Sequence, residues 1–345
     1  MKNLLGVDLF GEPIKAKGLG PLAQKFEMPP FSVLDARQGY WQERKRAWIS
    51  LGIKSELGRS VSPMDGGFDS MIERRTNGTY GKDFAIGDKA EWERSKTSKE
   101  YGVNAHLSQK EQKALGAYGA YGTNTVERAN GSVTGTSIFD PVLTELLYKW
   151  FCPQAGQIVD PFAGGSVRGI IAALLGFDYW GCDLRPEQIE SNESQAAEIC
   201  GEKLPVWVVG DAMEKLDTAP QADMIIACPP YGDLEVYSDD ARDLSTMEYH
   251  TFIAALKRII FRCSKLLKPN CFACFVVGDF RDKRTGNYRG FVADTIYAFR
   301  ECGMELYNDA ILVTCVGSLP IRVSAQFDAG RKLGKTHQNV LVFKK

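Results

Sequence analysis

No stretch of the chain runs for about eighteen apolar residues without a charge, so nothing reads as a bilayer-spanning helix and membrane roles are disfavoured. Charge of one sign is also missing: 42 lysines and arginines face 43 aspartates and glutamates, for a net charge of -1. Bulk attraction to nucleic acid is therefore absent, and any such binding needs a local patch. The nine cysteines show no disulfide-framework spacing, and the start MKNLLGVDLF lacks the pattern of a secretory signal. A reducing, cytoplasmic setting is expected. Internal repeats are lacking too. Hydrophobic residues at 44% and charged residues at 25% of 345 positions argue against disordered, collagen-like and coiled-coil classes.

What is there divides near residue 133. Residues 1–133 hold 20 basic against 16 acidic side chains, and residues 134–345 hold 22 against 27. The N-terminal part is loop-rich and irregular, with one ordered island at Phe31–Ile53. There Asp35 is a candidate helix cap, and Tyr40, Trp41, Ala47, Trp48 and Leu51 fall at helical spacing. The same island carries Arg44, Lys45 and Arg46, so it reads either as an amphipathic helix packed on a core or as a basic aromatic face for phosphates and bases.

After residue 133, short β-rich runs alternate with helical patterns, which predicts a doubly wound α/β sheet covered on both faces. Strands are expected at Gln157–Asp160, Tyr179–Asp183, Val206–Val209, Met224–Ala227 and Cys271–Val277, with helices at Val167–Leu175, Pro186–Cys200, Thr246–Leu267 and Arg289–Cys302. Leu306–Val316 and Val340–Phe343 read as two further strands with no helix between them, closing the sheet as an antiparallel hairpin.

Four segments carry chemistry. IVDPFAGGSVRG ends a strand at Asp160 and turns through Gly164-Gly165 into a helix near Ser166, where small residues let a ligand approach the backbone. It has neither the dinucleotide fingerprint nor the triphosphate loop, and tight packing is the plain alternative. YWGCDL ends in Asp183, an acid at a strand tip able to accept from ribose hydroxyls. PVWVVGDA ends in Asp211, whose carboxylate or the following Ala212 amide suits an adenine edge, although an aspartate there is also an ordinary helix cap. In ADMIIACPPYG, Cys228-Pro229-Pro230-Tyr231 follows a strand directly. Two prolines turn carbonyls outward and Tyr231 offers a flat ring, a combination suited to a planar base held by its exocyclic amine.

These residues resemble the S-adenosylmethionine-dependent DNA amino-methyltransferases of phage and bacterial type, which have a D-P-F-x-G-x-G-like cofactor motif and a [D/N/S]-P-P-[Y/F/W] catalytic motif. The resemblance spans roughly residues 134–345, including GTSIFDPVLTELLYKWFCP and the terminal KTHQNVLVFKK. It implies a seven-stranded, Rossmann-like methyltransferase sheet. It further implies S-adenosyl-L-methionine as cofactor, held by Ser137, Phe139, Asp160, Pro161, Phe162, Ala163, Gly164, Gly165, Ser166, Asp183, Leu184, Asp211 and Ala212. Catalysis would fall to Cys228, Pro229, Pro230 and Tyr231. The expected reaction is methylation of N6 of adenine or N4 of cytosine in a flipped base of double-stranded DNA, as in restriction-modification systems. An RNA base methyltransferase and a non-catalytic DNA-binding protein are the alternatives.

Cys228 departs from the pattern, because a thiol is a weak acceptor where the family has Asp, Asn or Ser. The Pro229 carbonyl is then the surest acceptor, and the motif does not choose the base. No separate target-recognition domain follows the catalytic segments, so recognition is assigned to residues 1–133. Arg281, Lys283, Arg284 and Arg289 form a second basic stretch, read either as a solvated loop or as a phosphate clamp. Cys271 and Cys274 have no partner pair at zinc spacing and read as core thiols, so no metal is expected. His337 is read as structural.

Overall fold

The computed structural model describes residues 21–54, 139–234, 236–316 and 319–345. The described residues begin with helix α1 (Pro21–Phe26), strand β1 (Val33–Asp35) and helix α2 (Gly39–Ile49). Helix α3 (Pro141–Phe151) follows, begun by Asp140, whose side chain accepts from the Val142 and Leu143 N–H groups, and by Pro141 at the first helical position. Then β2 (Gln157–Asp160), α4 (Val167–Leu174), β3 (Asp178–Asp183), α5 (Pro186–Ile199), β4 (Val206–Val209), α6 (Ala212–Lys215) and β5 (Ala222–Ala227) alternate. The remainder is α7 (Tyr249–Leu266), β6 (Leu267–Val277), α8 (Phe291–Glu301), β7 (Glu305–Val313), α9 (Leu319–Gly330) and β8 (His337–Lys344).

The strands form one eight-stranded sheet in the order β1-β7-β8-β6-β5-β2-β3-β4. All pairings are parallel except those of β8, which runs antiparallel between β6 and β7. The central strands are apolar throughout because helices cover both faces. Ile158, Met224, Ile226, Cys274 and Val342 face one core with Val142, Leu146, Ile170, Trp41 and Trp48. Val159, Ile225, Phe275 and Phe343 face the other, against Phe252, Ile259, Phe291 and Phe299. From β2 the chain steps one way to β3 and β4, then returns to lay β5 on the opposite side of β2. That reversal opens a crevice at the carboxyl ends of β2 and β5, where open α/β sheets bind ligands.

Three differences from the sequence reading stand out. The sheet has eight strands where seven were expected, because Val33–Asp35 pairs parallel with Ile311–Val313 and adds an edge. Asp35 caps no helix; it ends β1 and accepts from Arg37 and Gln38, while α2 begins at Gly39 without a side-chain cap. The last two strands are joined through α9, not a plain hairpin, although they are antiparallel as expected. α9 was missed because most of its described side chains are exposed, leaving little apolar periodicity to read. Among the described residues no helix is long and apolar enough to cross a membrane.

Candidate functional site

A cavity of about 320 Å³ opens at the carboxyl edge of the sheet. Its floor is the loop after β2. Asp160 is fully buried and turns away from the cavity: it accepts from Arg168 Nε at 2.5 Å, from the Tyr179 hydroxyl at 2.8 Å and from the Phe162 N–H at 3.0 Å. Arg168 in turn donates to the Phe162 and Ala163 carbonyls and lies over the Phe139 ring. A buried ion pair thus fixes the path of Pro161–Ala163. Asp160 and Ser166 stand behind the wall, while Phe139, Pro161, Phe162, Ala163, Gly164, Gly165, Asp183, Leu184, Asp211 and Ala212 all line it. Ser137 lies outside the described residues.

Gly164 adopts φ +52°, a left-handed conformation that a side chain would strain. Its N–H donates to Asp183 Oδ2 at 3.0 Å, and its carbonyl accepts from Asn192 Nδ2 at 2.7 Å. Asn192 ends a buried relay in which Arg185 donates to Gln188 and Gln188 donates to Asn192. Asp183 Oδ1 also accepts the Arg185 N–H at 3.0 Å. Arg185 Nε also lies 3.5 Å from Asp183 Oδ1, and the Asp183 carboxylate lines the cavity. Asp211 caps α6 by accepting the Met213 N–H at 2.8 Å, and lines the cavity as well.

The opposite wall is Cys228-Pro229-Pro230-Tyr231. Burial pushes the Tyr231 hydroxyl well above its ordinary range, with Cys228 adding to the effect. That hydroxyl accepts from Gln338 Nε2 at 2.7 Å and lies 3.9 Å from the Cys228 thiol. The ring meets Phe291 edge-on at 6.0 Å. Gln338 was not singled out from sequence, yet a signal existed: the first residues of an antiparallel last strand must sit beside the carboxyl ends of its parallel neighbours. Leu312, Thr314 and Cys315 complete this side.

A third wall comes from the N-terminal part: Ala36, Gln42 and Lys45. Gln42 donates to the Ala36 carbonyl at 2.5 Å, and Trp41 Nε1 to Asp140 at 3.2 Å. Lys45 pairs with Asp140 at 3.2 Å. Arg44 pairs with the fully buried Glu145, which also accepts from Trp48 Nε1 at 2.8 Å and lies 2.9 Å from Lys149. Burial alone would raise the Glu145 carboxyl, but the hydrogen bonds and charges of Arg44 and Lys149 hold it below its ordinary value. Arg44 is thus engaged in joining α2 to α3, whereas Arg46 is exposed.

In the second basic stretch, Arg281 stacks over Tyr288 at 3.9 Å and donates to the Gly286 carbonyl. Arg289 is turned toward Asp282 at 3.1 Å and the Tyr249 ring at 5.0 Å. Lys283 and Arg284 are exposed at the tip. Cys271 and Cys274, three apart in β6, point to opposite faces. Among the described residues no three His, Cys, Asp or Glu side chains cluster as a metal would need. His337 begins β8, 3.4 Å from Lys335 Nζ.

No protein-family model matches the chain, and no curated protein matches it. Solved structures do. TrmN from Thermus thermophilus is 15% identical over 60% of this chain and 49% of its own, with a TM-score of 0.40. A provisionally assigned DNA modification methylase, also from Thermus thermophilus, is 22% identical over 39% of this chain and 50% of its own, at 0.29. The chain thus spans about half the length of each. A TehB-like SAM-dependent methyltransferase from Corynebacterium glutamicum is 18% identical over 70% of this chain and 98% of its own, at 0.37.

Proposed function

We propose that this protein transfers a methyl group from S-adenosylmethionine to the exocyclic amino nitrogen of adenine or cytosine in DNA. One observation carries the reading: the glycine loop with Asp183 and Asp211 forms one side of the same cavity whose other side is Cys228-Pro229-Pro230-Tyr231. The donor set fits the cofactor. Gly164 has the positive φ of a loop that a ligand approaches closely, and Asp183 puts a carboxylate on the cavity wall at a strand tip, where ribose hydroxyls would donate to it. Asp211 and Ala212 would meet the adenine edge, and Phe139 the amino-acid end.

The cofactor would supply an electrophilic methyl on a sulfonium. An amino nitrogen held at this wall would take that methyl, the bonding pair returning to sulfur, and the proton it gives up would pass to solvent. No covalent enzyme intermediate is needed. Tyr231 would stack on the flipped base and the Pro229 carbonyl would accept from its amino group, favouring the charge that develops on nitrogen. Cys228 is therefore not a nucleophile in this reading. The test is incubation of DNA with the protein and labelled S-adenosylmethionine, digestion to nucleosides and mass spectrometry. N6-methyl-deoxyadenosine or N4-methyl-deoxycytidine is the expected product. Label found only in RNA would move the substrate class, and label on carbon 5 of cytosine would overturn the mechanism.

A further inference from the structure

We infer that Gln338 is the specificity-determining acceptor that takes over, at the substrate's amino group, the work the Cys228 thiol does poorly. This rests on the amino-methyltransferase reading. As nitrogen attacks, positive charge grows on it and its N–H bonds become stronger donors, so oxygen acceptors are worth more in the transition state than before it. The Pro229 carbonyl supplies one. An amino group has two N–H bonds, and a sulfur at position 228 is a weak partner for the second. Two side-chain amides line the cavity among the described residues: Gln42, whose Nε2 donates to the Ala36 carbonyl in the N-terminal wall, and Gln338 on β8, which is bonded to Tyr231 of the Cys228 motif.

Its Nε2 donates to the Tyr231 hydroxyl at 2.7 Å, and among the described residues its Oε1 makes no hydrogen bond. In this arrangement the donor end of the amide is occupied by Tyr231 and the acceptor end remains. The antiparallel direction of β8 matters here, because it brings the start of the strand, not its end, to the crevice. Gln338, Tyr231 and Cys228 form a short chain of contacts through the tyrosine oxygen, with Cys228 Sγ 3.9 Å from that oxygen. The acceptor role has moved along this chain from position 228 to position 338.

The experiment compares single-turnover methyl transfer and calorimetric binding of S-adenosylhomocysteine for the wild type, Gln338→Met, Gln338→Glu, Cys228→Asp and the Gln338→Met, Cys228→Asp double variant. Gln338→Met should slow transfer by about 10- to 100-fold with unchanged binding, as for one lost hydrogen bond to a charging group. Gln338→Glu, which keeps an oxygen acceptor, should stay within several-fold of the wild type. Cys228→Asp should restore most of the rate in the double variant, because it returns an acceptor to the other position. If Gln338 only props Tyr231, no such rescue occurs, and that result overturns the inference. So does a Gln338→Met protein as fast as the wild type. Should Gln338→Met lose its fold by circular dichroism, Gln338→Asn, with the amide withdrawn by one carbon, is read in the same way. A wild type that methylates neither DNA nor RNA removes the underlying reading and this inference with it.

Discussion

Three aspartates stand at or just beyond the ends of three successive strands, and their surroundings give them three different tasks. Asp160 is an internal strut for Arg168 and Tyr179, Asp183 bridges the glycine loop and the cavity, and Asp211 caps a helix at its rim. Asp183→Ala should weaken S-adenosylmethionine binding by about 1–3 kcal/mol, the range for a hydrogen bond to a charged group, measured by calorimetry. Unaltered affinity would remove Asp183 from the cofactor site. Tyr231 has two separable parts. Tyr231→Ala should lose about 1–3 kcal/mol of stacking in substrate binding. Tyr231→Phe keeps the ring, frees the Gln338 amide and should cost about 0.5–1.5 kcal/mol. Equal losses in the two variants would place the whole effect in the hydroxyl. The motif residues were legible because strand, turn and residue type coincide within a few positions. Arg168, Asn192 and Gln338 were not, because their roles come from partners far along the chain: Asn192 meets Gly164, and Gln338 meets Tyr231.

At the level of elements, the alternation from Gln157 to Glu301 was readable because each buried strand is a continuous apolar run and each helix between has its own periodicity. β1 was not readable. Its three residues are a strand only through pairing with β7. The tryptophans of α2 were open to two readings, and in the fold Trp41 and Trp48 are buried in the core shared with α3. The joint between α2 and α3 contains the buried Glu145. Removing its main partner leaves that charge to Lys149 and Trp48 alone, so Arg44→Ala should destabilise the protein in urea unfolding by about 1–3 kcal/mol, less than the loss of every partner would cost. The folded carboxyl is held below its ordinary 4.5, so its stabilisation is complete above that value and fades as pH falls through the folded one. Tryptophan fluorescence should report release of α2 on acidification below about 4.5, and Glu145→Gln should flatten that dependence. A transition unchanged in Glu145→Gln would assign it to other carboxylates.

For the whole molecule, a net charge of -1 means that any contact with nucleic acid must be local. Lys283 and Arg284 are exposed at the tip of the loop that follows β6. If each neutralises one phosphate, replacing both by alanine should lower the salt slope of duplex binding by about 2, with little change in cofactor affinity. An unchanged slope would return that loop to solvent. The order of the sheet also has a consequence for the making of the protein. Val33 can pair only with Ile311, which the ribosome adds long afterwards. At about 5–20 residues per second the wait is on the order of tens of seconds. Through that interval the third wall of the cavity lacks the strand that anchors it, and Trp41 and Trp48 lack part of their cover. The pocket is thus finished only once the far end of the sheet has been translated, and until then the nascent chain has no complete site with which to bind anything.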